Sequence, residues 1–198
     1  MDFEALNKKI LPPDAQAEKA AWAHWDGIAK PLRGLGRLEE AVVRIAALTG
    51  SEEMELGKRA VLVLCADNGV VAEGVTQTDA SVTATMAGEI AKHRSSVCRM
   101  AARAGADVFA IDIGMNRRVE GVRDCHTADG TQNMTKGPAM TRAQAEQAIQ
   151  TGMELAHECR DAGYRLLATG EMGIGNTTTS SAVTAVLLGL PIEEVTGR

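Results

Sequence analysis

Tyr164-Arg165-Leu166-Leu167-Ala168-Thr169-Gly170-Glu171-Met172-Gly173-Ile174-Gly175-Asn176-Thr177-Thr178-Thr179-Ser180 is the stretch that decides how this chain is read. The apolar run Tyr164–Ala168 predicts a buried strand and Ser181–Leu188 predicts a helix, so the glycine-rich segment between them is a strand-to-helix loop. Open α/β sheets bind ligands at such loops. Glycine has no Cβ and lets the backbone approach a phosphate closely, while the unpaired N–H groups of the first helical turn offer the positive end of the helix dipole. Hydroxyls at Thr177, Thr178 and Thr179 add donors, and Glu171 adds a carboxylate beside this anion cradle.

The motif narrows the ligand. Gly173-Ile174-Gly175-Asn176-Thr177-Thr178 places threonine where the third glycine of the dinucleotide fingerprint belongs, and no Gly-Lys-Ser/Thr of a Walker A loop is present. A mononucleotide phosphate is the ligand that remains.

Working outward, Ala60–Ala66 and Asp107–Gly114 read as two further strands, continuous in apolar residues as strands buried on both faces are. Helical patterns run from about Ala80 to Ala104 and from Thr141, as N-cap, to about Ala162. Strands alternating with helices imply parallel pairing and right-handed crossovers, which bring all strand ends to one rim. That rim carries Asp67 and Asn68, Asp112 and Gly114, and Gly170 and Glu171. Before Gly50 the rhythm differs: two helical patterns, Asp14–Ala29 and Arg37–Leu48, flank the turn Lys30-Pro31-Leu32-Arg33-Gly34-Leu35-Gly36. The expected organisation is an N-terminal helical lobe or arm over 1–50 and a parallel α/β domain over 51–198 flanked by helices.

Composition excludes several classes of function. At 198 residues the chain suits one α/β domain with a small lobe. A net charge of -5 without a Lys/Arg cluster argues against nucleic acid, and 3% aromatic residues argue against base-stacking platforms. Met1–Asn7 carries early acids and does not resemble a secretory signal, and no apolar run is long enough to span a bilayer. Cys65, Cys98, Cys125 and Cys159 are widely spaced without a CxxC pair, as free thiols in a reducing cytoplasm would be. Asp67 and Asp112 lie on different strands, and His157 and Cys159, two apart on a helix, point in different directions, so no metal is expected. His126 is read as structural or surface. The dispersed methionines, Met86, Met115 and Met134 among them, are read as core filling, whereas Met172 is placed to line an apolar pocket.

Four segments together resemble the nicotinate-nucleotide–dimethylbenzimidazole phosphoribosyltransferase family: Lys30–Glu39; Ala66-Asp67-Asn68-Gly69-Val70 with Glu73-Gly74-Val75; Asp112-Ile113-Gly114; and Gly170–Thr178. The resemblance implies a Rossmann-like parallel-sheet domain with a small N-terminal helical lobe, in a homodimer with no cofactor, in which nicotinate mononucleotide gives its phosphoribosyl group to dimethylbenzimidazole. A neutral azole nitrogen attacks C1′ while a cationic pyridinium leaves, so catalysis is chiefly orientation plus proton removal by a carboxylate. By position, Gly173, Ile174, Gly175, Asn176, Thr177 and Thr178 are implied to bind the phosphoribosyl part, with Glu171 near the ribose as the catalytic candidate. Asp67, Asn68, Thr76, Thr85, Met86 and Met172 are implied to line the substrate site, Thr76 and Thr85 as polar contacts to the base. Thr85 departs from the glutamine the family often has there. Family members are longer, and their general-base glutamate, a phosphate-binding lysine and a second glycine loop fall in the part that this chain lacks. The 51–198 domain is therefore expected to be incomplete at its C-terminal end. The alternatives are a non-catalytic binder of nucleotides or azole ribosides on the same scaffold, and an inactive fragment.

Overall fold

The structure, a computed structural model, describes residues 1–197; Arg198, the last residue of the expected 51–198 domain, lies outside the described residues. Two compact units are present, one spanning Met1–Leu56 and the other beginning at Gly57.

The first unit holds α1 (Phe3–Asn7), α2 (Ala15–Gly27) and α3 (Arg37–Thr49). Asp14 starts α2 by accepting from the backbone N–H of Gln16 and Ala17 at 2.8 and 3.0 Å, satisfying two of the donors every helix start leaves free. Small residues let α2 and α3 pack closely, with Ala21, Val43 and Ala46 buried beneath Trp22, Trp25 and Met54. Glu39 is fully buried on α3. The backbone N–H of Leu35 donates to it at 2.9 Å and Lys30 Nζ lies 2.9 Å away, so the carboxyl is held below its ordinary range despite burial. The guanidinium of Arg33 stacks 3.5 Å over the Trp22 ring. The turn read from its proline and glycines is thus fastened at both ends.

The second unit contains β1 (Lys58–Ala66), a short 3-10 helix (Gly69–Glu73), α4 (Ser81–Ala91), α5 (Ser96–Arg103), β2 (Ala106–Gly114), β3 (Arg123–Asp124), α6 (Arg142–Asp161), β4 (Tyr164–Met172), α7 (Asn176–Leu188) and α8 (Ile192–Val195). Its sheet is parallel throughout, in the order β3-β2-β1-β4. Side chains alternate across the central strand. Val63 and Cys65 join Ala87, Ile90, Cys98 and Met115 on one face, while Leu62 meets Ile111, Leu155 and Cys159 on the other. Helices cover both faces of β1, which explains its unbroken apolar sequence. The four cysteines are free thiols, and burial pushes Cys65 up to about 11.

Three expectations need correction. The helix expected from Ala80 to Ala104 is two helices, because His93 takes a left-handed conformation (φ 56°) and the chain turns before Ser95. The stretch expected to be a buried strand is an edge strand: among the described residues β4 pairs only with β1, and Leu166 is 41% exposed. Helix α7 begins at Asn176 rather than Ser181, which moves Asn176, Thr177 and Thr178 from a loop into a first helical turn. By contrast, Thr141 forms the N-cap read from the sequence, with a full capping box to Gln144.

Candidate functional site

Strand order places the crevice. From β1 the chain moves to β2 and β3 on one side, then crosses back to put β4 on the other. Outside the carboxyl ends of β1 and β4 lies the switch point where such sheets bind ligands. The loops that leave these two strands are Asp67-Asn68-Gly69 and Gly173-Ile174-Gly175.

These loops are bonded to one another. Asn68 Nδ2 donates to the Ile174 carbonyl at 3.1 Å, and Asn68 Oδ1 accepts from the Thr179 hydroxyl at 2.9 Å. From α4, the hydroxyl of Thr83 accepts the Ile174 N–H at 3.0 Å. The approach is close enough to require glycine at 173. A Cβ there would overlap the Ala66 carbonyl oxygen and lie 2.5 Å from Glu171 Oε1 and 2.8 Å from Asn68 Nδ2. Gly175 turns the chain into α7 with φ 87°, a left-handed conformation that side chains disfavour.

Helix α7 has no side-chain cap. Its first-turn N–H groups have no intrahelical acceptor, although Asn176 donates back to the Gly173 carbonyl at 3.0 Å. An open hollow of about 990 Å³ faces this turn, lined by Asn176, Thr177, Thr178 and Ser181 on the polar side and by Val75 and Met134 on the apolar side. Hydroxyls, helix N–H groups and the dipole suit an anion, and the apolar wall suits a flat ring.

Glu171 closes the set, accepting from the side-chain amide of Asn176. Its residue surface is exposed, yet desolvation around the carboxyl raises its pKa above the ordinary value, and the Asn176 hydrogen bond only partly opposes this.

Other expected residues take different places. Asp67 is buried, and its Oδ2 accepts from the Asn116 N–H at 2.7 Å. Thr76 donates to the Thr78 carbonyl at 2.5 Å, and Thr85, exposed on α4, donates back to Ser81 at 3.2 Å. Met86 is half-buried, and Met172 packs against the core cluster of Val63 and Cys65. None of these lines the hollow.

Two features carry no clear sequence signal. Segment 131–136 straps the 3-10 helix: Asn133 Nδ2 and the Thr135 hydroxyl donate to Glu73 at 2.6 and 3.2 Å, and Lys136 Nζ lies 3.2 Å away. Asn133 first, then Lys136 and Thr135, hold the Glu73 carboxyl below its ordinary range. Met134, read from sequence as core filling, reaches the hollow from this strap. His126, read as structural or surface, is bracketed by Asp112 at 3.3 Å and Asp129 at 3.0 Å. Asp112 is buried and also accepts from the N–H groups of Gly114 and Met115 and from Arg118. Among the described residues, no group of three or more His, Cys, Asp or Glu is placed to hold a metal ion.

A family model described as phosphoribosyltransferase matches residues 10–198. Similar proteins include the nicotinate-nucleotide–dimethylbenzimidazole phosphoribosyltransferases of Chlorobaculum tepidum, 42% identical over 99% of this chain, and of Clostridium tetani, 38% identical over 99%. The chain belongs to the nicotinate-nucleotide–dimethylbenzimidazole phosphoribosyltransferase family. A crystal structure of the family's Thermus thermophilus protein superposes with a TM-score of 0.88 at 41% identity, covering 93% of this chain and 57% of that one. The chain spans about half the length of the curated relatives it matches: 56% of the Chlorobaculum protein and 55% of the Clostridium protein.

Proposed function

We propose that this chain forms the phosphoribosyl-binding part of an enzyme that transfers phosphoribose from nicotinate mononucleotide to dimethylbenzimidazole, giving α-ribazole 5′-phosphate and nicotinate for cobalamin synthesis. One observation carries the reading: the uncapped first turn of α7 meets a hydroxyl-lined hollow beside the Glu171–Asn176 pair. The phosphate lies against Thr177, Thr178 and the free N–H groups, where donors and dipole act together. Glu171 faces the ribose, and the base lies against Val75 and Met134. In the reaction the azole nitrogen forms a bond to C1′ as the bond to the pyridinium nitrogen breaks. The positive charge on the leaving ring is neutralised by the departing electron pair, and the azole proton passes to a carboxylate. Orientation of two bound rings supplies much of the rate.

The protein acts as a cytoplasmic homodimer on small molecules, without nucleic acid or cofactor. No described helix is long and apolar enough to cross a membrane. Calorimetry with nicotinate mononucleotide tests the binding, and release of nicotinate on adding dimethylbenzimidazole tests the transfer. Saturable binding is expected. Absence of a binding heat at millimolar ligand would remove the assignment, and sedimentation as a monomer would remove the dimer.

A further inference from the structure

The Ile174 peptide is held on both of its polar atoms by residues outside its own loop. Its N–H donates to Thr83 at 3.0 Å and its carbonyl accepts from Asn68 at 3.1 Å. Thr83 sits on α4, is fully buried, and is the sole polar residue that this helix buries among those described. Asn68 spends its other amide atom on Thr179, one helical turn into α7, at 2.9 Å. Neither side chain lines the ligand hollow. Both are spent on fixing where the loop goes.

A peptide held in this way has a fixed plane, and the next residues inherit its direction. Gly173 is pressed against the Ala66 carbonyl on one side of the peptide, and Gly175 bends the chain at φ 87° on the other. Asn176 follows, donating back to the Gly173 carbonyl and across to Glu171. The orientation of α7's first turn therefore depends on two hydrogen bonds that come from other elements. A glycine loop without them would sample several paths, and a ligand would bear the cost of ordering it.

We propose that Thr83 and Asn68 are positioning residues: they clamp the Ile174 peptide so that the first turn of α7 is set for the ligand before it arrives. This assigns Asn68 to the loop rather than to the substrate, and gives a role to Thr83, which its sequence context does not mark. The proposal rests on the assignment of nicotinate mononucleotide as the ligand of this hollow.

The test uses the 198-residue chain and two readouts. Thr83→Val keeps the shape and removes the hydroxyl, leaving the partly buried Ile174 N–H without its acceptor, so nicotinate mononucleotide is expected to bind about tenfold more weakly by calorimetry. Thr83→Ser restores the acceptor and is expected to recover most of the affinity. Amide hydrogen exchange, measured without ligand, is expected to quicken at Ile174 and Gly175 in Thr83→Val and to return towards the parent rate in Thr83→Ser. Asn68→Ala supplies a second, partly exposed position should the buried substitution unfold the protein, and it is expected to weaken binding to a similar degree. Unchanged affinity in both Thr83→Val and Asn68→Ala would overturn the proposal, as would equal losses in Thr83→Val and Thr83→Ser. If the parent chain itself fails to bind, the ligand assignment falls instead, and the exchange rates at Ile174 still judge the clamp.

Discussion

The side-chain amide of Asn176 donates to the carboxylate of Glu171, joining the first turn of α7 to the end of β4. Desolvation leaves that carboxyl with a raised pKa, so the folded state favours its protonated form and carries a penalty once the group ionises. Glu171→Gln keeps the acceptor and removes the charge. The variant is expected to melt higher than the parent at neutral pH, with the difference closing as pH falls below the ordinary glutamate value of about 4.3. Its affinity for nicotinate mononucleotide is expected to move the other way, at least about tenfold weaker, because a hydrogen bond to a charged acceptor contributes roughly 1.5–3 kcal/mol. Melting curves from pH 4 to 8 with calorimetry at neutral pH read both. A variant that is both less stable and equally tight in binding would contradict the assignment.

Glu73 has the opposite sign. Its partners depress the carboxyl pKa, so the strap's contribution is present above the ordinary glutamate range and is lost as pH falls through the depressed value. Glu73→Gln is therefore expected to lower the melting midpoint at neutral pH and to match the parent in acid. Faster amide exchange over residues 131–136 is expected to accompany it, since Asn133, Thr135 and Lys136 share that one side chain.

Gly173→Ala adds a methyl group where the Ala66 carbonyl, Glu171 and Asn68 already meet. The expected cost is about 1–3 kcal/mol, the usual range for overpacking. Binding of nicotinate mononucleotide is expected to be lost more completely than stability, because the loop must move to relieve the overlap. Urea denaturation and calorimetry on one preparation separate the two effects.

Local chemistry made much of this architecture legible. The capping box at Thr141 and Gln144, the apolar run of β1 and the glycines flanking Ile174 each specify their conformation within a few residues. What could not be read depends on partners distant in sequence. Thr83 meets Ile174 across 91 residues, and Asn68 meets Thr179 across 111. Nothing near Met134 distinguishes a core methionine from one lifted over a ligand site by a strap, because Glu73, which anchors the strap, lies in the 3-10 helix Gly69–Glu73, far away in sequence. The sequence expectation places the start of α7 late for a different reason. Threonine and asparagine have weak intrinsic helix propensity, and in Asn176–Thr179 the bend at Gly175 and the tie to Asn68 outweigh it.

The crowding around Gly173 also says where this scaffold has room to diversify. A segment in which an added methyl group already collides offers no side chain to vary, so it leaves changes of ligand preference to the side chains that line the hollow. Val75 and Met134 are among them, Met134 on the strap that Glu73 holds, and neither is among the groups that an added Cβ at Gly173 or Gly175 would meet. A library that randomises these two positions and leaves 173–175 fixed would explore new acceptor rings while preserving the grip on phosphoribose.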